Sequence, residues 1–203
     1  MSTQTELLLN NVASPVSLPQ CRGSAVPRMT LADPALNVMT DFTKTAAFSI
    51  GHDEQIDHAL LYMKAIGVRL LFVLDSDCGL VGLITSFDIQ GEKPMLYLQS
   101  IDCTHKTCTR SDVLVKNVMA PVNHWEVIDY TDAEKVRISH IVAAFKATGM
   151  RHLVVTEDAG KSSGSVIRGI FSASRVEQAT SLRLEIVSTA KSFAEIEHVM
   201  AHS

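Results

Sequence analysis

Thr85 and Asp88 stand three positions apart, just after the apolar run Leu80 to Ile84. If the threonine ends a strand and the aspartate opens a helix, both polar groups converge on one strand-helix junction. A carboxylate only accepts hydrogen bonds and suits the paired hydroxyls of a ribose. A hydroxyl with backbone amides at a helix start suits a phosphate oxygen. The purely local alternative is that Asp88 caps its helix and Thr85 bonds to backbone. A second stretch, Gly169 to Val176, repeats the pattern with Ser172 as the hydroxyl but Arg175 where Asp88 stands. Arginine has no acceptor, so it cannot hold sugar hydroxyls as a carboxylate does. With Arg151 and His152 upstream, Ser172 and Arg175 form a second candidate set suited to an extra phosphate or another anion. The alternative there is an exposed arginine with no ligand.

Little else in the chain points to chemistry. No nucleophile, base and orienting acid occur together, and neither a phosphate loop nor a Gly-rich dinucleotide fingerprint is present. The expectation is a chain without a catalytic centre. Of the cysteines Cys21, Cys78, Cys103 and Cys108, the last two flank His105. Three ligands without a fourth make a poor zinc site, so no metal and reduced loop thiols are expected. His105 and His124 lack a coherent ligand set, and His52 and His58 are too far apart for a one-face helical metal pair. Trp125, the only tryptophan, could cover a base, although an interface or core position is commoner for a lone tryptophan.

Composition narrows the class. The 203 residues are 46% hydrophobic and 20% charged, which argues against long disorder. A net charge of −4 gives no global attraction for nucleic acid or anionic membrane. No apolar run approaches the roughly 18–20 residues that span a bilayer. Met1 to Asn10 carries Glu6 and no basic residue before its leucine run, unlike a secretory signal, so the expected compartment is the cytoplasm.

The elements that must position these residues come in duplicate. Asn37-Val38-Met39 recurs as Asn117-Val118-Met119. Ile56, Ala59, Leu60 and Met63 have the spacing of a helix with one buried face, and Ile138, Ile141, Val142 and Phe145 repeat it 82 positions later. Gly67 and Gly149, the same 82 positions apart, are suited to close those helices. Asp53 is expected to cap the first helix, and Thr131 with Glu134 to form a capping box for the second. Short apolar runs follow, Leu70 to Leu74 and Leu153 to Val155, then a turn, then Leu80 to Ile84 and Val166 to Phe171. These read as buried hairpin strands, the second with a tip five residues longer. Closing helices are less distinct, since Gly91 and Pro94 interrupt the first, although Met95 to Ile101 could continue as a second helical turn, and the second, Val176 to Leu182, is short. Each unit therefore reads as an extended lead-in, a helix, two antiparallel strands and a closing helix. Units this small bury little alone and should pack face to face.

On these residues the chain resembles the CBS-domain family. Gly82-Leu83-Ile84-Thr85-Ser86-Phe87-Asp88-Ile89 resembles the signature that ends a CBS domain. Gly67-Val68-Arg69 and Gly149-Met150-Arg151-His152-Leu153 resemble the segment before it, and Asn-Val-Met is typical of the opening. The likeness covers about residues 36–182. It implies an α+β fold of two β-α-β-β-α CBS repeats, paired through their strands into a pseudo-two-fold disc with two clefts. The corresponding division is a 1–35 extended arm, repeat 1 over 36–101, a polar linker over 102–114 and repeat 2 over 115–182. An amphipathic C-terminal helix over 183–203 completes it, with Ser192 and Glu195 at its cap and Phe193, Ile196, Val199 and Met200 on one face.

The same resemblance implies an adenosine nucleotide of the AMP/ADP/ATP class as ligand, no required cofactor, a homodimer and a separate effector protein. Carried over residue by residue, it puts Arg69, Ile84 and Ile50 beside Thr85 and Asp88 in the ligand-binding set. Two other readings stay open: an interaction module with vestigial clefts, and a metal- or redox-responsive protein using Cys103, His105 and Cys108.

Overall fold

The computed structural model describes residues 28–101, 108–158, 160 and 164–186. A 3-10 turn at Ala35–Val38 leads into β1 (Met39–Asp41) and β2 (Ser49–Gly51), followed by α1 (Ile56–Ile66). The hairpin β3 (Leu70–Leu74) and β4 (Leu80–Thr85) comes next, then α2 (Ser86–Gln90) and α3 (Lys93–Ser100). The second half repeats the order: α4 (Val115–Val118), β5 (Ala120–Pro121), β6 (Val127–Asp129), the short α5 (Tyr130–Ala133), α6 (Ile138–Thr148), β7 (His152–Asp158), β8 (Ser165–Ser172) and α7 (Ala173–Thr180).

The long helices follow the apolar spacing. Ile56, Ala59 and Met63 of α1 are buried, as are Ile138, Ile141, Val142 and Phe145 of α6. Gly67 and Gly149 close them with φ of 74° and 68°, the left-handed conformation that glycine adopts without a Cβ penalty. The helix starts differ from expectation. Gln55, not Asp53, precedes α1, because the Asp53 carboxylate is held by Lys116 at 2.6 Å from the other repeat and by His52 at 2.7 Å. Arg137 precedes α6, and Thr131 instead donates its amide to Asp129 at the head of α5. The expected interruption is present: α2 ends at Gln90 and α3 starts at Lys93, with Pro94 second in its first turn, where the missing N–H is not needed. The closing helix α7 starts at Ala173, three positions before the expected Val176.

Two four-stranded sheets result, ordered β2-β3-β4-β5 and β1-β8-β7-β6. In each, the strand before the long helix pairs in parallel with the first hairpin strand, and the hairpin is antiparallel. The fourth strand is borrowed. β1 lies antiparallel to β8 of the other repeat, and β5 lies antiparallel to β4. Val38 and Met39 accordingly sit in the second repeat's core with Phe145 and Phe171, while Val118 sits in the first repeat's core with Met63 and Ile84. This crossing explains the duplicated glycines. A Cβ at Gly82 would lie 2.8 Å from the Ala120 carbonyl oxygen and 2.8 Å from Met119 Sδ. One at Gly169 would lie 2.5 Å from the Thr40 oxygen and 3.1 Å from Met39 Sδ. Only glycine lets the borrowed strand approach so closely.

The first crossing is also clasped by charge. Arg168 of β8 reaches Asp41 with Nε at 3.1 Å and Nη2 at 3.3 Å, Glu157 with Nη1 at 2.8 Å, and lies 4.2 Å from the Tyr130 ring centroid. Hydrogen bonds from Arg168 and then Thr43 hold the Asp41 carboxyl well below the usual carboxylate range.

Between the sheets, Phe72 and Leu83 of one meet Val154 and Ile170 of the other. Val113, in the stretch expected to be a polar linker, is fully buried in the first repeat's core. Residues 28–34 of the expected arm run along the second repeat, with the Met29 amide donating to the Ala179 oxygen at 3.0 Å. Residues 1–27, Cys103, His105 and the expected helix around Ser192 to Met200 lie outside the described residues. No described helix is long and apolar enough to cross a membrane.

Candidate functional site

Strand alternation decides what faces what. Leu71, Val73 and Ile84 point into the first repeat's core, whereas Leu70, Phe72 and Leu83 face the opposite sheet. Thr85, two residues after Leu83, shares that inter-repeat side. In the second repeat Val154 and Ile170 face the first sheet, which puts His152 and Ser172 on the same side.

At the first junction Thr85 is 7% exposed and is the only buried polar residue among those described. Its hydroxyl accepts from the Asp88 amide at 3.1 Å and donates to Asp88 Oδ2 at 2.6 Å, while its amide donates to the same Oδ2 at 2.9 Å. This reciprocal capping box satisfies the start of α2 and locks both side chains. The other oxygen, Asp88 Oδ1, lies 2.6 Å from Lys93 Nζ. That ammonium also donates to the Val118 carbonyl at 3.3 Å, in the segment leading to the borrowed β5. Lys93 was not legible as a site residue. Its only signal is a cation five positions after Asp88, beyond the Gly91 break that turns α3 back.

The second junction has the same backbone. His152 pairs with Ser172 as Leu70 pairs with Thr85. The Arg151 carbonyl accepts from the Ala173 amide at 2.9 Å, as the Arg69 carbonyl accepts from Ser86 at 2.9 Å. The side chains differ. Ser172 Oγ accepts from the Arg175 amide at 3.4 Å, nothing returns the bond, and Arg175 is exposed with no ion pair among the described residues. Arg151 reaches Glu177 at 3.9 Å. Burial pushes His152 down to about 4, with Arg151 adding to the effect and the Asp88 carboxylate opposing it across the repeat boundary.

Of the other residues expected beside Thr85 and Asp88, the backbone of Arg69 and Ile84 adjoins the junction but the side chains lie elsewhere. The Ile84 and Ile50 side chains belong to the first repeat's core. Arg69 is exposed and lines a groove of about 310 Å³ with Leu60, Met63, Lys64 and Gln90, which Asp88 does not line. Trp125 is an interface residue. Its ring packs 6.4 Å from Phe72, and its Nε1 donates to the Ala120 carbonyl at 3.0 Å. Cys78 is exposed and free, but Cys108 is disulfide-bonded, against the expectation of reduced thiols. No cluster of three His, Cys, Asp or Glu side chains able to hold a metal occurs among the described residues.

No protein-family model and no curated protein matches the chain. Among solved structures, it is similar to CBSX2, a CBS-pair protein from Arabidopsis thaliana, with 19% identity over 74% of this chain and 95% of that one and a TM-score of 0.45. CBSX2 in complex with AMP is 19% identical, covering 73% and 96%, at a TM-score of 0.45. A conserved CBS domain protein from Thermoplasma acidophilum is 15% identical over 81% and 76%, at a TM-score of 0.48. At such scores the fold rests on the chain's own strand order rather than on these likenesses. Duplicated β-α-β-β-α units, joined through their sheets with both junctions on the shared side, make an α+β fold of two pseudo-symmetric repeats, the architecture that the sequence resemblance implied.

Proposed function

We propose that the chain is a regulatory module that takes an adenosine nucleotide at the Thr85–Asp88 junction and reports its occupancy to a partner protein, without catalysis of its own. One observation carries this reading: a carboxylate 13% exposed, fixed by a capping box on the inter-repeat side, with a lysine ammonium on its outer oxygen. The fixed acceptor suits a ribose diol, and the neighbouring cation suits a phosphate. The sequence signature from Gly82 to Ile89 points the same way. The second junction lacks the acceptor, so the first is the tighter site.

Thermal melting of the full chain with AMP, ADP and ATP tests the proposal. A ligand bound only to the folded state adds about 2.7 kcal/mol at a hundredfold excess over Kd. Asp88→Ala should remove most of the shift, and Arg175→Ala should keep it. No shift with any adenine nucleotide would sink the reading, and loss of the shift in Arg175→Ala alone would move the site to the second junction.

A second reading, an interaction module, is favoured by the first repeat's surface. Leu61 of α1, Phe87 of α2 and Met95 of α3 are 64%, 68% and 64% exposed. We propose that these helices meet a second copy of the chain, since a closed two-fold dimer is the commonest way to cover such side chains. Sedimentation at micromolar concentration should show a dimer; a monomer would count against it.

A further inference from the structure

We infer that Lys93 sets the specificity of the Thr85–Asp88 junction, making it select phosphorylated nucleotides over the bare nucleoside; this rests on reading the junction as a nucleotide site. The hydrogen-bond inventory leads there. Asp88 Oδ2 already accepts both the amide and the hydroxyl of Thr85, at 2.9 and 2.6 Å. Only Oδ1 is left for a ligand, and Lys93 Nζ sits 2.6 Å from it. The two ends of this pair are not alike. The Asp88 side chain is 13% exposed and fixed by its capping box, whereas that of Lys93 is 47% exposed and on a flexible stem at the start of α3. Where a diol takes the place of the ammonium on Oδ1, the lysine is therefore the group that moves.

Its second anchor limits how far it goes. The ammonium has three donors, and one is directed at the Val118 carbonyl, 3.3 Å away. Lys93 displaced from Oδ1 therefore stays beside the junction as an uncompensated cation. A ligand carrying a phosphate supplies the missing anion, while adenosine gives Oδ1 a hydroxyl in exchange but gives the ammonium no anion. The second junction has no counterpart to this device, because Arg175 stands where the acceptor would be.

Calorimetric titration of the full chain with adenosine and with AMP tests the inference, using the wild type, Lys93→Met and Lys93→Arg. The wild type should bind AMP roughly tenfold or more tighter than adenosine, the usual weight of one charge-assisted contact. Lys93→Met should tighten adenosine, weaken AMP and bring the two together, and Lys93→Arg should restore the preference. A Lys93→Met protein that keeps the full preference for AMP overturns the role of Lys93 and leaves the nucleotide site standing. A wild type that binds neither ligand overturns both. Lys93→Gln, which keeps the polar stem, repeats the comparison if the methionine variant melts early.

Discussion

Where β4 runs into α2, a hydroxyl and a carboxylate answer each other's hydrogen bonds; where β8 runs into α7, only the hydroxyl's half remains. The backbone at the two places is the same, down to the arginine carbonyl that accepts the first helical amide. Two positions account for most of the difference. Asp88 has become Arg175, and Leu70 has become His152. The duplicated fold thus holds the frame constant while the charge of each junction is set by single side chains.

The largest test of that shared frame is the pair of crossings. Gly169→Ala would drive a methyl to 2.5 Å from the Thr40 oxygen, and Gly82→Ala to 2.8 Å from the Ala120 oxygen. Backbone yields little, so urea unfolding should show losses of about 1–3 kcal/mol, greater for Gly169. Two neutral substitutions would mean that the borrowed strands are not held as described.

Acid separates the repeats next. Between pH 6.5 and about 4 the unfolded chain takes a proton that His152 in the folded state refuses. Stability is therefore fully present above pH 6.5 and falls as pH drops toward 4, by up to ~3 kcal/mol. Asp88 and Arg151 are the charged groups acting on this histidine. His152→Leu, the residue at the equivalent Leu70, should flatten the curve in that window when urea midpoints are compared near pH 7 and 4.5. A slope unchanged by the substitution would assign the acid response elsewhere. The Asp41 carboxyl, depressed by Arg168, acts lower: its contribution is present above the ordinary carboxylate pKa and is lost as pH falls below it.

Smaller effects distinguish the caps. Asp88→Ala should cost about 1–2 kcal/mol through loss of the capping box, whereas Arg175→Ala should stay within about 0.5 kcal/mol. Smallest is Arg175→Asp, which restores an acceptor at the third position of α7 and should add a few tenths to ~1 kcal/mol. A melting temperature that falls instead would mean that the two junctions are less alike than their backbones.

What could be read beforehand was what depends on neighbours in sequence. The faces of α1 and α6 follow from spacing, the closing glycines from backbone preference, and Thr85 with Asp88 from a three-residue offset. What escaped depends on distant partners. Asp53 was available to cap α1 until Lys116 claimed it, and no local pattern announces that. The side chains of Ile50 and Ile84, expected in the ligand set, lie in the core because alternation turns them inward. The most informative miss is the exchange of β1 and β5. Gly82 and Gly169 mark the repeat in the sequence, yet their reason, a strand from the other repeat lying over them, lies far along the chain.

That exchange has a consequence for the order of assembly. Met39 is made long before its partner Phe171, which lies in the other repeat. While synthesis proceeds, the first hairpin can collapse onto α1, but β1 has no sheet to join until β8 exists. The first repeat's sheet likewise waits for β5 to cover the exposed edge of β4. Closing contacts between such distant segments is slow, since the loop entropy is lost before the contact is gained. The nascent chain therefore carries unpaired strand edges until β8 has emerged, and two chains caught at that stage can trade their lead-in strands with each other.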